Sequence, residues 1–221
     1  MRVSDIYDSY DIPPILRTHM YSVAALGSYI ANSMALSPGV IDQDLIVQTL
    51  LLHDMGNIVK FNFLEPLIGE DHNRDHWKAV QEKFIQKYGK DDHKATMSIA
   101  QEIGVSKQIL RFLQLTADME TALSALKTDN NFRVMFYADF RVGPTGIVSL
   151  DERIDNLIVR YKDRNDHMWS NRAHAETMRT IIKDQEEVLQ TKSSLLLNDI
   201  VQKDIGFISQ SLFSYQVDLS Q

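Results

Sequence analysis

Cysteine is absent from the chain, which excludes disulfides, thiolate zinc sites and cysteine nucleophiles. Any metal ion would have to be held by His, Asp or Glu. Glycine and proline are few, nine and five in 221 residues, alongside 44% hydrophobic and 24% charged residues. That composition describes an ordinary soluble globular protein, one domain or one domain with a helical extension, long enough to bury a substantial core without staples. No window approaches the roughly 20 consecutive apolar residues of a membrane span. The opening Met1-Arg2-Val3-Ser4-Asp5 is not an apolar signal region, so no membrane association and a cytoplasmic location are expected. The formal charge is -7 and no Lys/Arg-rich run exists. This argues against duplex nucleic acid as the main partner but leaves room for a local basic pocket that takes a small phosphate ester.

What is present is helical patterning. Pro13-Pro14 opens a helix on which Ile15, His19, Val23, Leu26, Ile30 and Met34 form an apolar stripe. His19 is the one polar member, with a core histidine bonded to a carbonyl as the alternative reading. After the break at Ser37-Pro38-Gly39, Asp42 caps a second helix through Leu45, Ile46, Thr49, Leu50 and Leu52. A buried strand competes there, but the cap and the length favour helix. Gly56 suits a left-handed residue that stops this helix, and residues 57–75 read as a loop of functional length. Further helices are expected from His76 to Tyr88 with Asp75 as cap, from His93 to Ile103, near Lys107–Leu115, from Met119 to Leu126, and one preceded by Asn130 or Asn131 and running through Asp139. Beyond Pro144-Thr145-Gly146, Ser149 and Glu152 have capping-box spacing for a helix to Tyr161. A polar helix from about Asp166 to Thr191 and an amphipathic one from Leu195 to about Phe213 follow. The last stripe packs on its own domain or, alternatively, forms a homodimer interface. No alternating strand pattern and no repeat competes, so the expected class is all-α.

One stretch gathers the chemistry. In Thr49-Leu50-Leu51-Leu52-His53-Asp54-Met55-Gly56-Asn57, an apolar run ends in a nitrogen donor beside an oxygen donor. Adjacent helical residues point about 100° apart, so one ion reaches both only close against the helix end. Asp139 follows Met135 and Phe136 by one turn, on the inward face of its helix. A carboxylate there is costly unless neutralised, by a cation or by Arg133, Arg141 or Arg160. Together His19, His53, Asp54 and Asp139 form a hard-to-borderline ligand set suited to Mn, Fe, Co, Mg or Zn, with positions left for water and substrate.

The order of these residues resembles the H…HD…D pattern of the HD-domain metal-dependent phosphohydrolases. The matching text is Arg17-Thr18-His19-Met20-Tyr21-Ser22-Val23-Ala24, then Leu51-Leu52-His53-Asp54-Met55-Gly56-Asn57, then Tyr137-Ala138-Asp139, covering roughly residues 13–145. The resemblance implies an HD-like helical bundle over 1–165, with 166–221 as a helical extension packed on it. It also implies that His19, His53, Asp54 and Asp139 bind the ion, and that the reaction is hydrolysis of a phosphate ester, of a nucleotide or a similar small molecule. A divalent ion would acidify water and polarise a phosphoryl oxygen. Asp54 and His93 are the catalytic candidates. His93 lies in a segment, Asp91 to Met97, that in some relatives carries a histidine to a second metal or to the phosphate, and a helix's first turn suits an anion. Lys60, Lys94, Arg141 and Arg17 are candidates to grip the phosphate, each otherwise a solvated surface charge. His72 and His76 read as surface residues, and His167 and His174 stay outside the site. Gly56-Asn57-Ile58-Val59-Lys60 departs from subfamilies that have Gly-Lys or a nearby Glu after the His-Asp pair, leaving Glu65 as a stand-in. The tandem Gly-Tyr-Pro signature of cyclic-dinucleotide members is missing too. Competing readings are a phosphodiesterase or triphosphohydrolase on the same ions, a catalytically weak nucleotide-binding regulatory module, and an interaction protein without metal.

Overall fold

The computed structural model describes residues 1–34, 41–63, 73–163 and 168–219. In chain order these form α1 (Val3–Ser9), α2 (Pro14–Met34), α3 (Gln43–Leu52), a 3-10 turn (Asn57–Lys60), α4 (Arg74–Tyr88), α5 (Asp92–Ile103), α6 (Lys107–Leu115), α7 (Met119–Thr128) and α8 (Asn130–Arg141). A two-strand hairpin, β1 (Val142–Gly143) and β2 (Gly146–Ile147), leads to α9 (Leu150–Tyr161), α10 (Arg172–Gln190) and α11 (Gln202–Ser211). The protein is all-α apart from that hairpin, which turns at Pro144-Thr145 with Val142 paired to Ile147. No helix among the described residues is long and apolar enough to cross a membrane.

α2 is the hub, packed against α3, α8 and α11. Its contact with α3 is close because Gly27 has no side chain. A Cβ there would lie 2.5 Å from Leu50 Cδ1 and 3.2 Å from Ile46 Cγ2. Glycine inside a helix costs about 1 kcal/mol in propensity, and here the cost is offset by a tight crossing that brings the His19 and His53 ends of the two helices together.

Most helix starts follow their capping residues. Asp42 accepts from Leu45 N–H, Asp91 from Lys94, Ser106 from Ile109, and Ser149 with Glu152 forms the capping box. α4 is capped by Asn73, whose side chain accepts from His76 N–H, so Asp75 falls inside the helix instead of before it. α8 is capped by Asp129, one residue ahead of Asn130. Gly89 (φ 87°) and Gly104 (φ 78°) end α4 and α5 in positive-φ conformations that favour glycine.

The C-terminal segment is more broken than a single amphipathic helix from Leu195. A short turn at Leu197–Asp199, α11 and a final turn at Leu212–Ser214 replace it. Of its apolar stripe, Ile200, Ile205 and Leu212 are buried in the same core as α2 and α3, Leu195 and Ile208 are partly buried against it, and Phe213 is 51% exposed. α10 packs on α8 and α9, and α11 packs on α2. The start of α10 is at Arg172; the expected Asp166, like the break at Ser37-Pro38-Gly39, lies outside the described residues.

Candidate metal centre

His19 comes from the second turn of α2, His53 and Asp54 from the end of α3, and Asp139 from the last turn of α8. The chain leaves α3 in a tight turn, with Met55 N–H donating to Leu52 O (3.3 Å) and Asn57 N–H to Asp54 O (3.0 Å). His19 Nε2 lies 3.5 Å from Asp54 Oδ2 and 3.3 Å from Asp139 Oδ1. His53 Nε2 lies 3.6 Å from Asp54 Oδ1 and 3.4 Å from Asp139 Oδ1. Each imidazole thus faces both carboxylates, although Asp139 stands outside the three-residue group whose ligand atoms lie mutually close.

The spacing is looser than ordinary hydrogen bonding. N···O hydrogen bonds fall at about 2.7–3.2 Å, shorter than all four separations. Two donors on one ion, each bonded at about 2.1 Å and separated by 90–110°, stand about 3.0–3.4 Å apart. The two Asp139 distances fall inside that range and the two Asp54 distances just beyond it. His19, His53 and Asp54 each offer a ligand atom, all within 4.8 Å of one another, so this group could hold a metal ion. Among the described residues no guanidinium pairs with Asp139. Arg133 donates to Gln185, Asn130 and Leu126 O, and Arg141 points into the core.

The tautomer of His53 is set by its surroundings. Nδ1 is 2.7 Å from Leu50 O, an acceptor only, so Nδ1 carries the proton and Nε2 presents its lone pair. That Nε2 is buried with no hydrogen-bond partner. A lone pair facing two carboxylates is repulsive unless a proton or a cation stands between them. In the metal-free protein the proton fills this role. Burial pushes the His53 pKa down, but Asp54, Asp139 and the Leu50 carbonyl outweigh it and raise it to about 9. Burial likewise pushes Asp139 up, and the His19 and His53 imidazoles outweigh it, holding the carboxyl well below the usual range.

A second layer rests on Gly56. Its backbone is right-handed (φ -85°), not left-handed as its place after α3 suggests. What demands glycine is contact: a Cβ would lie 2.5 Å from Asp92 O, 2.6 Å from Thr96 N and 2.7 Å from Ala95 Cβ. Gly56 N–H donates to Thr96 Oγ1 at 2.9 Å. The first turns of α5 are thus pressed onto the His-Asp turn, and Lys60, at the end of the following 3-10 turn, pairs with Asp92 at 2.6 Å.

The other expected residues separate clearly. Arg141 is almost fully buried, donating to Val148 O, Tyr137 Oη, Leu197 O and Ile200 O. Arg17 is taken up by Asp8, Tyr7 O and Ile12 O, tying α1 to α2. Neither guanidinium is free to grip a phosphate. Lys94 is exposed and leans toward Asp91 at 3.4 Å. His93 is exposed, because α5 turns Ala95, Thr96 and Ile99 inward, and it is not in the ligand group. His76 and His174 are also exposed, while His72, His167 and Glu65 lie outside the described residues. The residue missed in the sequence is Asp92, one turn before Thr96 on α5, whose pairing with Lys60 arises only from the packing of α5 on the 3-10 turn.

Comparison with models of known families, with curated proteins and with solved structures found no match to this chain.

Proposed function

We propose that this protein is a metal-dependent phosphohydrolase of HD-domain type, acting on a nucleotide or a similar small phosphate ester. The observation that carries the reading is the orphaned Nε2 of His53, buried and aimed at two carboxylates with its tautomer already set. His19, His53, Asp54 and Asp139 would hold one divalent ion, of the Mn, Fe, Co, Mg or Zn class. When bound, such an ion supplies a Lewis acid for a phosphoryl oxygen and lowers the pKa of water toward neutrality.

The chain supplies the rest. Leu50 O holds the Nδ1 proton and fixes the His53 ring. Asp54 turns one oxygen toward each imidazole, and Asp139 turns a single oxygen toward both. Their two negative charges balance a dication, so the charge of an incoming phosphate must be met by another group. His93, exposed on α5, is given no part in this chemistry.

The test is phosphate release from a panel of nucleotides and simple phosphate esters, with Mn or Co added and metal content measured by elemental analysis. Turnover that depends on added metal and on Asp54 supports the proposal. Bound metal without turnover on any ester would favour a regulatory nucleotide-binding module, and no bound metal would end the reading.

A further inference from the structure

We infer that Asp92 is a positioning residue, holding the Lys60 ammonium on the segment that follows Asp54 as the cation that receives the substrate's phosphate oxygens. The inference rests on the metal centre proposed above and names how its ligand is recognised.

Several observations converge on this pair. Of the four cationic candidates, Arg17 and Arg141 spend their donors inside the fold, and Lys94 extends into solvent beside Asp91. Lys60 differs. It stands on the turn that leaves Asp54, and its ammonium meets Asp92 at 2.6 Å while the side chain stays 44% exposed. It lies in the field of the metal-site aspartate as well: burial lowers its pKa, and Asp54 and then Asp92 outweigh that and raise it. An ammonium has three donors, so it can keep Asp92 and still accept a phosphate oxygen as partner without breaking the pair.

Asp92 is not needed as the helix cap, since Asp91 already accepts from Lys94 N–H. Its carboxylate is turned to Lys60 instead. Its position relative to Asp54 is fixed by the Gly56–Thr96 contact, which leaves no space for even a methyl group between the two segments. A flexible lysine otherwise samples many rotamers, and restraining it lowers the entropic cost of each bond it forms. With an ion held by the His-Asp cluster, a phosphate dianion would gain one further charge-assisted bond from the Lys60 ammonium that Asp92 restrains.

The experiment is calorimetric titration of inorganic phosphate into Mn-loaded protein: wild type, Lys60→Met, Lys60→Arg, Asp92→Asn and the double variant Lys60→Met/Asp92→Asn. Mn stoichiometry is measured for each. Loss of one charge-assisted bond is expected to weaken phosphate about 10- to 100-fold in Lys60→Met, with a smaller loss in Asp92→Asn and partial recovery in Lys60→Arg. The double variant is expected to be no weaker than Lys60→Met, because Asp92 acts only through Lys60. With a turned-over ester, the same changes should appear in KM more than in kcat. Asp92→Ser, which keeps a polar residue at the helix start, replaces Asp92→Asn if the latter lowers the melting temperature. Additive losses would overturn the role of Asp92, and phosphate affinity indifferent to Lys60→Met would overturn the whole inference. Failure of Mn to bind wild type would instead sink the metal centre itself, a separate and recognisable result.

Discussion

Gly56 and Thr96 are in direct contact across two segments: the Gly56 N–H donates to Thr96 Oγ1 at 2.9 Å, and a Cβ on Gly56 would stand 2.6 Å from Thr96 N. Because the nearest obstacles include the backbone of α5, no rotamer change can make space. Through this contact the turn carrying His53 and Asp54 inherits the rigidity of a neighbouring helix.

Gly56→Ala should therefore both destabilise the protein and loosen the metal site. Overpacking at a well-packed contact costs about 1–3 kcal/mol, and any relief must push α5 away from the His-Asp turn. The expected result is a lower melting temperature together with weaker Mn binding. Gly89→Ala is the control: it meets nothing within 4 Å and is strained only by its φ of 87°, so it should lower stability without altering metal affinity.

Metal binding should release a proton from His53. With its pKa raised from 6.5 to about 9 in the metal-free protein, this imidazole is protonated at neutral pH, and a metal must displace that proton. Apparent affinity should therefore rise about tenfold per pH unit between roughly 7 and 9. Calorimetry in buffers of different ionisation enthalpy should count close to one such proton near pH 7. For stability the sign is opposite in the metal-free form. A group with a raised folded-state pKa stabilises fully below 6.5, and that contribution is lost as pH rises through about 9. Metal-free protein should thus melt lower with rising pH across that window, while the upward shift of melting on adding Mn grows.

Asp139→Asn should abolish the response to metal. The substitution preserves shape but removes the charge that sits 3.3 Å from His19 Nε2 and 3.4 Å from His53 Nε2. Loss of an outer partner of a ligand already costs about 10–100-fold in metal affinity, so loss of a direct ligand should exceed that. The check is elemental analysis and the melting shift with Mn; a variant that retains full metal content would mean Asp139 lies outside the cage.

How much of this could be read in advance depends on where each signal lived. His19 and Asp139 were legible because a polar side chain on an apolar helical stripe is anomalous within a single helix, and His53-Asp54 because it ends an apolar run. The helices themselves were legible through caps that act over three residues, such as Asp42 and the Ser149–Glu152 box. α1 was not: Val3, Ile6 and Tyr7 do have i,i+3,i+4 spacing, but seven residues carrying two aspartates give too short a pattern to stand alone. Gly56 was misread because glycine's usual reason is its own dihedral, whereas here the reason is a helix some 40 residues later in the chain. The Lys60–Asp92 pair was illegible for the same cause, since only the packing of α5 on the 3-10 turn gives these two ordinary surface residue types a common neighbour.

Arg141 offers the sharpest contrast between a charge that looks available and one that is not. Its guanidinium joins α8 to the residue just past the hairpin and to the C-terminal segment, donating to the carbonyls of Val148, Leu197 and Ile200 and to Tyr137 Oη, while Glu186 lies 3.8 Å away. Tyr137 Oη in turn donates to Glu186 Oε1 at 2.5 Å. Replacing Arg141 by Met would leave these acceptors and a carboxylate uncompensated in the interior, a loss of about 3–5 kcal/mol. Lysine should not rescue it, since one ammonium cannot reproduce a planar fork aimed at several carbonyls. Arg141→Met should therefore melt far below wild type yet, at a temperature where it remains folded, bind Mn and inorganic phosphate as wild type does. Unchanged melting with weakened phosphate binding would reverse the assignment and return Arg141 to the substrate.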